Sequence, residues 1–275
     1  MVTDSTSDIP PEVAHALGIT VVPIYVQFGD EVYQEGVGLS NAGFYHKLAT
    51  SFVHPSTSHP TPQDFASVYS GCSKKAEAIV SIHVSDKISG TYNSARHGKK
   101  MAKGKCQIEI IDSQLISIGL ALVVMSAAKL AEAGENLQSI LEKTRKTINQ
   151  VKIVGIFDTL KYLVLGGRVS KATATIADIL QIKPLLTFKN DEIVRESLAR
   201  TYSRGMDRLY EFVADRPNIQ DLAIAYSTVP EQANQMKKRL SSVFPEEKIH
   251  VTWLGSALGV HGGPGALVLA FRQGE

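Results

Sequence analysis

The chain has little cysteine. Cys72 and Cys106 are the only two thiols in 275 residues, far apart and outside any Cys-x-x-Cys or metal-ligand spacing. That excludes a disulfide framework and a cysteine-built metal centre, and reduced thiols suit a cytoplasmic protein. Charge of one sign is equally scarce. Twenty-nine basic against 27 acidic residues leave a formal net charge of +2, and the basic residues are scattered. Without a basic stripe, a nucleic-acid partner is not expected. No long hydrophobic run is present either. The most apolar stretch, "ISIGLALVVMSAA" from Ile116 to Ala128, is too short and too rich in small residues to cross a bilayer, so stable membrane insertion is not expected. The polar opening "MVTDSTSDIP" has no secretory-signal pattern. The first strand reads a few residues short, because the chain begins at Met1-Val2-Thr3.

Chemical signatures are missing as well. There is no G-x-x-x-x-G-K-[ST] phosphate loop and no G-x-G-x-x-G fingerprint. There is no H-E-x-x-H and no G-x-S-x-G elbow, and the eight histidines do not cluster at ligand spacing. These absences weigh against kinases, dehydrogenases, zinc enzymes and ordinary serine hydrolases, and no cofactor is expected. No internal repeat or low-complexity tract appears.

Apolar content is ample, at 44% of the chain, enough for a sizeable core. Through the first half, strand-like runs ("VTDSTSD", "TVVPIYVQFG", "AEAIVSIHVS", "CQIEIIDS") alternate with helical patterns, each closed by Gly, Pro or a capping residue. This is βαβ logic, and it predicts a mostly parallel sheet with helices on both faces. Pro23 inside its run marks an edge strand. The stretch 119–133 is apolar on nearly every side and is expected inside, whereas 136–150 is amphipathic. The second half differs. "KPLLTFKNDEIVRESLAR" predicts an antiparallel hairpin about Asn190-Asp191, among further strands and helices, one of them "SKATATIADILQ". The fold class is therefore α/β with two domains. Residues 1–150 form an N-terminal α/β domain, and residues 151–275 a C-terminal α/β domain with a mixed or antiparallel sheet.

Four polar islands stand out. Asp4-Ser5-Thr6-Ser7-Asp8 follows a strand, where α/β proteins place ligands, but also suits a turn and cap. "PSTSHPTP" holds Thr57 and Ser58 in a proline-stiffened loop. Ser89-Gly90-Thr91 opens a helix, where free N–H groups and a partial positive charge favour an anion, though a plain cap is the commoner use. "GVHGGPGA" exposes His261 among glycines in a turn between two strands. Together they offer hydroxyls, N–H groups and an imidazole beside much apolar interior.

The order of "VTDSTSDIP", "STSHPTPQDF", "SGTYNSA", "IDSQLISIGLA", "LKYLVLGGRVS", "IKPLL" and "HGGPGALVLAF" resembles the DegV family over the whole chain. That family includes the fatty-acid-binding subunits of bacterial fatty acid kinase. The resemblance implies one long-chain fatty acid in a buried tunnel between two α/β domains. It places the carboxylate on Thr57 and Ser89 with His261 nearby, in surroundings that include Ser58, Gly90 and Thr91. It also implies that Arg168 of the Gly-Gly-Arg motif lies at the opening and engages the kinase. His59 stands where the family has Gln. On this reading the protein is a cytoplasmic, monomeric lipid-binding subunit. It is not itself an enzyme, and it hands its ligand to an ATP-dependent kinase for acyl-phosphate formation and phospholipid metabolism. The rival reading is a Ser-His hydrolase or acyltransferase built on Ser89 and His261, with Asp4 or Asp112 as orienting acid. A different hydrophobic acid, with no kinase, is a third.

Overall fold

The computed structural model describes residues 1–169, 182–189 and 191–274. The helix expected over 170–181, and Asn190 of the hairpin turn, lie outside the described residues.

Three sheets are present among them. The first is parallel throughout, in the order β2 (Thr20–Val22), β1 (Val2–Asp4), β6 (Ala78–His83), β7 (Gln107–Asp112). The chain leaves β1 toward β2 on one side and returns as β6 on the other, so strand order reverses between β1 and β6. In open parallel sheets that reversal opens a crevice at the carboxyl ends of the strands. The second sheet is six-stranded and mixed. Its order is β10 (Glu192–Ala199), β9 (Lys183–Lys189), β8 (Val151–Ile156), β13 (Leu267–Gln273), β11 (Ile219–Tyr226), β12 (His250–Trp253). The expected hairpin is β9 paired antiparallel with β10. The helix Ser117–Glu132, buried over most of its length, packs on β8, β11 and β13, so a segment from the first half of the chain covers the second sheet.

The third sheet was not expected. β3 (Tyr25–Phe28) pairs antiparallel with β4 (Glu31–Gln34) and with β5 (Ser56–Ser58). "TVVPIYVQFG" is therefore two strands in two sheets. Pro23, which has no N–H to continue a ladder, falls between them. The stretch expected to be a stiff loop at Thr57-Ser58 is strand β5. The turn expected around His261 is the last turn of a short helix, Ser256–Gly262.

A buried polar cluster ties β1 to β6 at the reversal. Asp4 Oδ1 accepts from the Thr6 hydroxyl at 2.5 Å and the Thr6 amide at 3.2 Å. Asp4 Oδ2 accepts from the Val84 amide at 3.1 Å and lies 3.0 Å from His83 Nδ1. His83 Nε2 continues to Ser81 Oγ at 2.7 Å, and Ser81 Oγ to the Tyr69 hydroxyl at 2.8 Å. Asp4, Ser81 and His83 are fully buried.

Candidate functional site

The crevice at the ends of the parallel strands is a polar recess of about 290 Å³. Thr6 after β1, Ile24 after β2, and Asp86 to Gly90 after β6 form one side. Thr57, Ser58 and His59 come from β5 and the residue after it, Leu258 and His261 from the short helix, and Arg168 closes the rim.

Thr57 and His261, 204 positions apart, meet directly: Thr57 Oγ1 lies 3.1 Å from His261 Nε2. The other ring nitrogen, Nδ1, is buried and has no hydrogen-bond partner among the described residues. Burial, then the positive charges of Arg168 and His54, lower the His261 pKa to about 4. The imidazole is therefore neutral at pH 7. Gly166 makes its seat, since a Cβ there would lie 2.0 Å from His261 Nδ1. The Arg168 guanidinium donates to the Gly166 carbonyl at 2.5 Å, with its side chain exposed.

On the facing wall, Gly90 precedes the helix Thr91–Met101 without any side-chain cap. Its missing Cβ admits the His59 ring, whose Cε1 would be 2.8 Å from such an atom. Ser89 Oγ accepts from the Thr91 amide at 3.3 Å and pairs with Thr91 Oγ1 at 2.8 Å. Thr91 is fully buried and does not line the recess; its hydroxyl stands behind Ser89 and orients it. The Ser-His arrangement of the rival reading is not assembled. His261 Nε2 is engaged with Thr57, Asp4 with His83, and Asp112 with the amides of Asp86 and Gln114.

Beside the recess lies a narrow apolar chamber of about 70 Å³. Ile88, Leu258, His261 and Arg168 line both spaces. The chamber floor is one face of the second sheet, including Gly155, Leu186 and Val268, and its roof includes Ile116 and Leu254. A polar recess carrying hydroxyls and an imidazole beside a hydrocarbon-lined space suits a ligand with one anionic end and one long apolar end.

The sequence model of the DegV family matches residues 1–273. The chain belongs to the DegV family. A DegV domain-containing protein of Deinococcus radiodurans is 32% identical over 277 residues, covering 99% of this chain and 97% of the relative. Among solved structures, a DegV family protein of Thermus thermophilus described for fatty acid binding superposes with a TM-score of 0.90 at 29% identity, covering 99% of this chain and 98% of that one. DegV of Bacillus subtilis, described as a fatty acid binding protein, gives the same values. The mixed α/β architecture is thus that of DegV proteins. Among the described residues no helix is long and apolar enough to cross a membrane.

One feature of this DegV chain escaped the sequence reading. Two buried carboxylates hold the loop that leads into the His261 helix. Asp8 accepts from the Gly255 amide at 2.8 Å and from the Ser117 hydroxyl at 2.6 Å. Glu35 accepts from the Ala257 amide at 2.7 Å and the Ser256 hydroxyl at 3.0 Å, and pairs with Ser5. Burial raises the pKa of both, and for Asp8 the neighbouring Glu35 charge raises it further. A carboxyl whose folded pKa is raised favours folding below its unfolded value, near 4, and loses that contribution as pH rises through the folded pKa. His261, with its lowered pKa, acts oppositely, losing its contribution as pH falls from about 6.5 toward 4. The difference between wild type and Asp8→Asn isolates the carboxyl. An amide preserves acceptance from Gly255 and can donate to Ser117, so Asp8→Asn is expected to gain on wild type as pH rises above about 4 in denaturant melts. Parallel stability curves over that range would show that Asp8 does not titrate with folding.

Proposed function

We propose that this chain holds one long-chain fatty acid, its carboxylate in the recess and its tail in the apolar chamber, and presents the carboxylate to a separate ATP-dependent kinase for acyl-phosphate formation. The acyl-phosphate would then enter phospholipid metabolism. The observation that carries the reading is the adjacency of the two spaces: Thr57, Ser89 and His261 line a recess that shares four lining residues with the chamber. The DegV proteins of Thermus thermophilus and Bacillus subtilis, described as binding fatty acids, support it.

The energetics agree. A sixteen-carbon tail has about fifteen methylenes, and at about 0.8 kcal/mol each their burial contributes on the order of 12 kcal/mol. Ordering the tail and losing its free motion offset several kcal/mol of this. A buried carboxylate needs hydrogen-bond donors, and charge-assisted bonds from hydroxyls are among the strong ones. Thr57 and Ser89 supply them without a buried lysine or arginine. Residues 1–150 and 151–275 would serve as two α/β units, a division supported by the six-stranded sheet drawing every strand from Val151 onward.

Mass spectrometry of lipid extracted from the purified protein tests the binding, with about one fatty acid per chain expected. No fatty acid, together with no uptake of palmitate or oleate, rejects the reading. Arg168, exposed at the rim, is assigned to kinase docking, since exposed charges at an interface act mainly on encounter. With a reconstituted kinase, Arg168→Ala is expected to slow acyl-phosphate formation several-fold more than it weakens fatty acid binding. An unchanged rate removes Arg168 from docking.

A further inference from the structure

Resting on the fatty-acid reading, we propose that Phe188 is the end wall of the apolar chamber and fixes the longest acyl chain the protein accepts. Ile153, Gly155 and Phe157 lie at alternate positions of β8 and its continuation and all line the chamber. Alternate residues share one face of a strand, and four residue steps at about 3.3 Å carry this lining over about 13 Å of strand. The polar recess is at the Phe157 end, where a Cβ on Gly262, the neighbour of His261, would lie 3.5 Å from Phe157 Cε1. A carboxylate seated there directs its tail toward Ile153.

At the Ile153 end the lining passes to Thr187 and Phe188. These two, alone among the described residues, also line a separate groove of about 450 Å³. Thr187 is buried and fixed, its hydroxyl donating to the Ile153 carbonyl at 2.7 Å. Phe188 is half-buried and paired in register with Ile193, which lines the chamber too. The side chain standing between hydrocarbon and groove is therefore the Phe188 ring. The groove beyond carries Lys152, Lys189, Asp191, Glu196 and Arg216, so a tail that passed the ring would meet charges instead of apolar wall. Leu254 and Val268 are buried members of the core, whereas Phe188 is half-buried and packs at the edge of it, so it can change with less rebuilding of the fold.

The test compares wild type, Phe188→Ala and Phe188→Trp by competition among myristate, palmitate, stearate and arachidate, with lipid extracted from each protein analysed in parallel. Phe188→Ala is expected to shift preference to longer chains, by about tenfold in relative affinity for each two carbons newly accommodated. Phe188→Trp is expected to shift it to shorter ones. Unchanged chain-length profiles in both variants, with the cooperative melt retained, overturn the end-wall assignment while leaving the fatty-acid reading intact. A shift in Phe188→Trp alone, should Phe188→Ala not fold, still supports it. Absence of fatty acid from wild type as well as from the variants overturns both.

Discussion

Thr57→Ala combined with Ser89→Ala is expected to weaken palmitate binding by about a hundredfold or more. A hydrogen bond to a charged group contributes about 1.5–3 kcal/mol, and two hydroxyls facing one carboxylate stand to lose about twice that. Each 1.4 kcal/mol is about tenfold in affinity. The residues share a ligand, so the double variant falls short of strict additivity, and a hundredfold is the conservative reading. Folding is expected to survive. β5 is held to β3 through its backbone, with Thr57 opposite Val26, and Ser89 gives up only its local bonds to Thr91. Titration with a fluorescent fatty acid and competition by palmitate measure the loss. An affinity within twofold of wild type would reject the recess as the carboxylate seat, even if the tail proves to lie in the chamber.

The largest effect on stability is expected from Asp4→Ala. Asp4 is fully buried and accepts from Thr6 and the Val84 amide while facing His83. Removing it strands the Thr6 hydroxyl and the Val84 amide where no water reaches, at about 1–3 kcal/mol for each buried donor left unpaired, several kcal/mol together. For a chain of this size that is a fall in Tm of roughly 10 °C. Asp4→Asn keeps one acceptor and is expected to cost about half as much. A melt of Asp4→Ala within 2 °C of wild type would mean that the cluster does not hold β1 to β6.

Much of the framework was legible because hydrophobic pattern and punctuation agreed. β6 reads "AIVSIH", mostly apolar and buried as an inner parallel strand requires, while edge strand β7 reads "QIEIID", apolar residues among polar ones, and the β9–β10 hairpin announced itself by its turn. What escaped has physical reasons. β4 reads "EVYQ" and β5 reads "STS"; neither has an apolar face, and both are strands only because β3 offers its backbone edges. Strand preference depends on such neighbours more than on the residue itself. The helix Ser256–Gly262 carries glycines at both ends and in the middle, so a local reading favours a turn. Asp8 was visible as a member of a polar island but looked like a cap, and Glu35 carried no signal at all. Their burial follows from the Gly255 and Ala257 amides, supplied from some 220 positions or more downstream. The meeting of Thr57 with His261 is equally non-local. Periodicity and capping could single each out, but their juxtaposition came only from the family resemblance and the coordinates.

The apolar chamber has an evolutionary cost. Ile88, Ile116, Leu186, Leu254 and Val268 come from separate parts of the chain and converge on a space that none of them fills. Ordinary selection for stability would close it, since one larger side chain at Ile116 could complete the packing and raise the melting point. Such a change would remove the space in which the proposed fatty acid tail would lie. The hollow is therefore a feature that drift toward a tighter fold erodes, and its persistence would mark a protein kept deliberately less than fully packed.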